Sequence, residues 1–160
     1  MWPDLNTFRR AVVPVFERNE SKWFGRDIMF SKLGQRGSYV GVIKERSVQD
    51  IVSELQSMDN VYSRNLAALK WRPTRDGERA YERASYAYVP EGFFGKYQYH
   101  VRLWPHEQGT AVWAHYELNP WHSPSRHYNG EEWDPEAGAS WVRSKFEIDT
   151  TADILGVVKR

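Results

Sequence analysis

Between residues 62 and 119 the apolar positions recur with a period of two, which demands antiparallel β-structure with two distinct faces. Two hairpin signals punctuate this region. Residues 64–72 and 79–89 flank Arg75-Asp76-Gly77-Glu78, and residues 96–105 and 111–118 flank Glu107-Gln108-Gly109-Thr110. The two hairpins together predict a four-stranded antiparallel meander. With Gln108-Gly109 as a two-residue turn, the second hairpin pairs Tyr99 with Leu118, Val101 with Tyr116 and Leu103 with Ala114 on one apolar face. The opposite face pairs His100 with Glu117, Arg102 with His115 and Trp104 with Trp113. A four-residue loop keeps these faces and slides the partners. A three-residue loop mixes the faces and is rejected.

The flanking sequence predicts helices. Residues 2–18 carry Leu5, Phe8 and Val12 at i, i+3 and i+7 behind a capping Asp4, with Pro14 kinking or ending the helix. Residues 21–37 are irregular, punctuated by Gly25, Gly34 and Gly37. Residues 38–44 read as a further strand. Ser47 caps a helix over 48–58 whose stripe is Val48, Ile51, Val52 and Leu55, with Asp50 placed to close a capping box. Residues 119–133 hold Pro120, Pro124, Asn129 and Gly130 and read as a loop. Asp134-Pro135-Glu136 starts a helix striped by Ala139, Val142 and Phe146. A frayed helix or tail follows at 151–158. The order is α, loop, β, α, four β, loop, α. It predicts one α+β domain over 1–160, with a mostly antiparallel sheet (the four-stranded meander plus one further strand) and helices packed on one face. Residues 1–37 form an N-terminal helix and irregular arm, and 150–160 a C-terminal tail.

Composition narrows the function. Lys and Arg total 22 against 21 Asp and Glu, so the chain lacks the charge excess of a protein whose whole surface binds phosphate. The absence of Cys excludes disulfides, thiolate metal sites and a Cys nucleophile. No apolar run approaches the roughly 20 residues of a membrane span. Met1-Trp2-Pro3-Asp4 does not begin an export signal, so a cytoplasmic location is expected. The unusual quantity is aromatic: eight Trp, nine Tyr and seven Phe. A core of this size absorbs about half of them. Trp104, Trp113, Trp121, Tyr128 and Trp133 fall on the outer sheet face or in the adjoining loop, and Trp23 and Phe24 in the arm. Nothing else in the sequence obviously covers that face, so these seven residues are candidates for a protein interface. The alternative is that the 119–133 loop folds back over the face and buries the rings internally.

All five His lie between 100 and 127. His115 and Glu117 share a strand face and His100 lies across from them, so two imidazoles and a carboxylate form a candidate zinc or iron site, or a general acid–base pair. H-x-E on a strand is not a specific motif, and a polar outer face with a His–Glu pair and an Arg–His neighbour is the favoured reading; no cofactor is expected. Lys70, Arg72, Arg75, Arg79 and Arg83 beside Trp71 and Tyr81 form a candidate nucleic-acid surface, diluted by Asp76, Glu78 and Glu82. Residues 22–37 mix Trp, Phe and Lys or Arg but lack the clean apolar stripe of a membrane-surface helix, which favours packing on protein.

No G-x-S-x-G, P-loop, G-x-G-x-x-G or H-E-x-x-H occurs, so no hydrolase, NTPase or dinucleotide enzyme has positive support. The reading leans to a non-enzymatic structural or assembly protein, homo- or hetero-oligomeric. A ligand- or nucleic-acid-binding domain using the His/Arg/Trp face is the alternative, and a metal-dependent enzyme using His100, His115 and Glu117 a lesser one. The helix LNTFRRAVVPVF, the arm SKWFGRDIMFSKLGQRG and the tail DILGVVKR, around a compact antiparallel sheet, resemble in size and element order the small neck and tail-completion proteins of tailed viruses. That resemblance implies a connector subunit located in the virion, and it assigns no functional residue.

Overall fold

A computed structural model of the chain describes Phe8 and residues 11–16, 18–19, 38–65 and 70–159. Residues 11–16 and 18–19 are helical, on both sides of Pro14. The side chains of Arg18 and Asn19 donate to the carbonyls of Pro14 and Val15 (3.0 and 2.8 Å), as a helix end requires. The 21–37 arm, with Trp23 and Phe24, lies outside the described residues.

Strand β1 (Ser38–Lys44) leads to helix α1 (Val48–Ser57). Ser47 and Asp50 form the expected capping box, with Asp50 N–H donating to Ser47 Oγ (3.2 Å) and Ser47 N–H to Asp50 Oδ2 (2.8 Å). Ile51, Val52 and Leu55 of α1 are buried. The strands that follow are β2 (Val61–Ser63), β3 (Trp71–Pro73), β4 (Arg79–Tyr81), β5 (Ala84–Tyr88), β6 (Tyr97–His106) and β7 (Gly109–Leu118). Two helices complete the set, α2 (Pro124–Asn129) and α3 (Pro135–Lys145). Asp134 caps α3 through Ala137 N–H (3.0 Å), with Pro135 in its first turn.

The fold is α+β, with a five-stranded antiparallel sheet in the order β1-β7-β6-β5-β2 and a separate two-stranded sheet, β3-β4. Helices α1 and α3 cover one face of the larger sheet. Their cluster joins Ile51, Leu55, Ala139, Val142 and Phe146 to Val40, Ile43, Tyr86, Val101, Leu103, Val112 and Ala114. Residues 79–89, read as one strand, divide at Glu82-Arg83. The hairpin around residues 75–78 therefore leaves the meander, and β5-β6-β7 meander alone, flanked by β1 and β2. The two faces of the β6–β7 hairpin are as the alternation predicts, but its partners slide by two. Tyr99 opposes Tyr116, His100 opposes His115 and Arg102 opposes Trp113, with Glu107-Gln108 as the turn. Gly109 belongs to the strand. Its φ is +149°, and a Cβ there would stand 2.2 Å from the Ile43 carbonyl oxygen, so glycine lets β1 close onto β7.

The expectation of a bare outer face is overturned. Trp104 and Trp113 are 0% and 1% exposed. Their rings meet at 4.6 Å in an edge-to-face arrangement, in a second cluster with Val42, Ala80, Ala111 and Val157. Neither is capped by the 119–133 loop. The cover is the β3–β4 hairpin and the C-terminal tail. Trp104 Nε1–H donates to Ala80 O (3.1 Å), and the Arg72 guanidinium lies 5.6 and 5.0 Å from the two indole centroids. The tail runs back along the end of β6. Glu107 N–H donates to Gly156 O (2.9 Å), Val158 N–H to Pro105 O (3.0 Å), and His106 Nε2–H to Asp153 O (2.9 Å). The loop after β7 instead contains α2, ended by Gly130 in the left-handed conformation.

Helix α3 lies close on β7 because of Gly138, where a Cβ would stand 2.2 Å from His115 Cα. Glycine to alanine in a helix interior ordinarily stabilises by about 1 kcal/mol. Here Gly138→Ala is expected to destabilise by about 1–3 kcal/mol through overpacking. Denaturant unfolding of the variant checks the sign.

Candidate functional site

The outer face of the sheet is chemically graded. Along β6 the even positions run Gln98, His100, Arg102, Trp104 and His106, and along β7 the odd positions run Ala111, Trp113, His115 and Glu117. At one end the indoles are packed dry under β3–β4. At the other end lies a buried polar cluster built on Glu117.

The Glu117 carboxylate accepts from three side chains. His100 Nδ1–H donates to Oε1 (2.9 Å), Gln98 Nε2–H to Oε1 (2.7 Å) and His115 Nε2–H to Oε2 (3.1 Å). His100 and Glu117 sit diagonally across the ladder rather than opposite, yet still within hydrogen-bond reach. The rings of His100 and His115 are 5.1 Å apart. A carboxylate only accepts, so His100 carries its proton on Nδ1, and Nε2 accepts from the Ser85 hydroxyl (2.7 Å). Arg64 donates to Gln98 Oε1 from Nε and Nη2 (3.2 and 3.1 Å) and so holds the amide in the orientation that serves Glu117. His127 Nδ1–H donates to Leu118 O (2.7 Å) and lies 3.4 Å from Glu117 Oε2. His115 Nδ1 is buried and has no hydrogen-bond partner among the described residues.

Electrostatics follow from burial. Desolvation, with the Arg102 cation nearby, pushes the His100 pKa down to about 3. His100 is thus a neutral imidazole. Burial opposes ionisation of Glu117, but the surrounding His115 and His100 outweigh it and hold the carboxyl well below the usual carboxylate range. Next along the face, Arg102 Nη1 donates to both oxygens of the fully buried Glu82 (2.9 and 3.0 Å).

Ser85, His100 and Glu117 reproduce the hydrogen-bond order of a serine–histidine–carboxylate triad. Ser85 is 0% exposed, however, and no carbonyl substrate can reach its hydroxyl. The arrangement can orient an imidazole and fix its tautomer. His100, His115 and Glu117 also bring one donor atom each within 4.8 Å of one another, the donor set of a transition-metal site.

The other predicted residues disperse. Trp133 is half-buried with its ring 5.9 Å from that of His115, so it covers the polar cluster. Trp121 and Tyr128 are exposed. Of the basic set, Arg72 packs inward on the indoles, Arg75 pairs with Glu107 and Asp153 (3.2 and 3.3 Å), and the Arg79 guanidinium sits 4.3 Å from the Trp71 centroid. Lys70 meets Glu82 through its backbone N–H (3.3 Å), and Arg83 is exposed. These placements do not form the continuous basic stripe that tracks a phosphate backbone.

Sequence reasoning missed Ser85, Gln98 and Arg64 in the polar cluster. Gln98 shares the parity of His100, which was a usable signal; Ser85 and Arg64 depend on strand register. It also missed Phe93 and Phe94. Phe94 is 71% exposed and Trp121 60% exposed, and Phe93 lies between them, with centroids at 5.0 and 5.7 Å. The side-chain amide of Asn119 donates to Phe93 O and Gly95 O (2.8 Å each), which ties the β5–β6 loop to the end of β7. Two adjacent phenylalanines between Gly92 and Gly95 marked that turn in the sequence.

No described helix is long and apolar enough to cross a membrane. Comparison with protein-family models, with curated proteins and with solved structures finds no match.

The neutral, buried state of His100 sets an acid dependence. The unfolded chain takes up a proton near pH 6.5, and the folded chain does so only near pH 3, so stability falls as pH falls through that window. Glu117, with its depressed folded pKa, adds to the loss once pH drops below the carboxylate range of the unfolded chain. In chelator-treated protein the His100 contribution should approach about 1.4 kcal/mol per pH unit. Urea unfolding across the window should show a shallower pH dependence for His100→Gln than for the wild type.

Proposed function

We propose that this chain is a non-enzymatic assembly subunit that meets neighbouring copies of itself through the aromatic platform of Phe93, Phe94 and Trp121. The observation that carries this reading is the exposure of Phe94 and Trp121 on loops that Asn119 ties together. Two large rings held in water by a rigid support forgo apolar burial, worth roughly 25 cal/mol per Å², that contact with another surface recovers. Tyr and Trp anchors of this kind dominate protein contacts.

Charge near the platform favours a protein over a polyanion. Glu91, Glu131 and Glu132 alternate with Lys96 and Arg126, and Lys96 Nζ lies 3.9 Å from Glu132. Mixed signs side by side are what a self-complementary contact between copies needs. A virion neck or tail component is the narrower form of the proposal, supported by the small α+β architecture and the element order.

Light scattering over a wide concentration range tests it. The wild type should associate, and Trp121→Ala and Phe94→Ser should each weaken association by about 30-fold, the effect of a hot spot near 2 kcal/mol. Circular dichroism and the melting temperature should stay unchanged. A wild type that remains monomeric at the highest attainable concentration overturns the proposal.

A further inference from the structure

We propose that His100, His115 and Glu117 form a buried site for one divalent transition-metal ion of the zinc class, with Ser85 and Gln98 as its supporting shell. The site shares no ligand with the aromatic platform. Nδ1 of His100 and Nε2 of His115 both face the carboxylate, at 2.9 and 3.1 Å from its two oxygens. A tetrahedral ion bound at about 2.0–2.2 Å needs donor atoms roughly 3.3–3.6 Å apart; the three donor atoms lie within 4.8 Å of one another, and the two hydrogen-bonded contacts open by a few tenths of an ångström to admit the ion. Two imidazole nitrogens and a carboxylate that can bind through both oxygens supply four donor atoms. In the metal-free state, N–H protons occupy the positions facing Glu117.

The shell around these ligands supports two of the three, His100 and Glu117. A histidine that coordinates through one ring nitrogen is oriented by a hydrogen bond from the other. His100 meets that condition with Ser85. When Nδ1 binds the ion, its proton is lost and Nε2 takes one up, so that Nε2–H donates to the Ser85 hydroxyl, already 2.7 Å away. The exchange is a tautomer change with no net proton released. The Glu117 carboxylate is held by Gln98, and Gln98 by Arg64. At His115 the same tautomer change moves the proton from Nε2 to Nδ1, which has no hydrogen-bond partner among the described residues, so the ion itself orients this ring.

Glu117 is the anion of the group, and of the two arginines nearby Arg102 is committed to Glu82 and Arg64 donates to Gln98. The N₂O donor set excludes calcium and magnesium, which take oxygen ligands, and selects zinc, cobalt or iron.

The test uses full-length, tag-free protein, stripped with chelator, desalted and titrated with Zn²⁺ and with Co²⁺. One equivalent of Zn²⁺ should bind and raise the melting temperature, and Co²⁺ should give the visible absorption of a four-coordinate site. His115→Ala and Glu117→Gln should abolish both signals. Ser85→Ala, which leaves all ligands in place, should weaken binding about 10-fold or more. His122→Ala, at an exposed histidine, should change nothing. Folding of each variant is read by circular dichroism, and Ser85→Ala carries the test if the ligand variants do not fold. A folded wild type that takes up no stoichiometric metal overturns the proposal. So does uptake that survives Ser85→Ala and Glu117→Gln unchanged, or that is lost in His122→Ala, since either outcome places the ion on the surface.

Discussion

The β6–β7 hairpin is buried on both faces, and the rest of the chain is arranged to make that possible. One face carries the aliphatic residues that α1 and α3 cover. The other carries Trp104 and Trp113, and an indole pair of that size left in water would be unfavourable by several kcal/mol. The β3–β4 hairpin and the tail supply the missing layer. This explains why the 79–89 segment breaks at Glu82-Arg83. Arg83 N–H bonds to Leu103 O in line with β5, while Glu82 N–H bonds to Lys70 O on the folded-over hairpin (2.8 and 2.9 Å). It also explains why the tail returns to β6. Val157 enters the indole cluster, and Gly156 passes so close to the His106 ring that a Cβ would stand 2.2 Å away.

Alternation made the faces legible in the sequence, and capping chemistry made the helices legible. Ser47-Asp50 and Asp134-Pro135 mark helix starts through local contacts, which a sequence displays directly. The turn was less accessible. Gly109 looks like a turn residue, but glycine is there because β1 crowds it, a contact that a strand more than 60 residues earlier provides. Moving the turn by one residue slid every partner by two and left the faces intact, so His100, His115 and Glu117 stayed together. What could not be read was the cover. Whether a hairpin lies in a sheet or folds over it is decided by tertiary burial, and the period-two pattern of residues 71–81 is the same in both cases.

The graded outer face divides into two environments that need different physics. Around Trp104 and Trp113 the surroundings are aliphatic, and the polar contributors there are the Trp104 bond to Ala80 and the Arg72 guanidinium over the rings. Around Glu117 there is a hydrogen-bonded network in which Gln98, His100 and His115 converge on one carboxylate. Arg102 and Glu82 stand between the two. Removing one partner from a buried pair of this kind costs about 3–5 kcal/mol, because the other charge is left unpaired. That cost makes the pair a sharp boundary. It holds the β3–β4 hairpin to the sheet at the point where apolar packing gives way to polar contacts.

The polar cluster and the aromatic platform share a physical support. Arg64 lies with its guanidinium carbon 5.4 Å from the Phe93 centroid, and the same group donates twice to Gln98, whose amide donates to Glu117. Phe93 in turn sits between Phe94 and Trp121. Asn119 fixes the backbone of that loop from the other side. The platform rings are therefore anchored to a buried network at one end and to the exit of β7 at the other. Rings supported from both sides in this way have less side-chain freedom to lose than rings on an unsupported loop. In the association proposed above, that support would reduce the ordering cost of about 0.5–1.5 kcal/mol for each immobilised side chain. The buried carboxylate contributes to a surface it never touches, because the orientation of Arg64 under Phe93 depends on Gln98, and the orientation of Gln98 depends on the charge of Glu117.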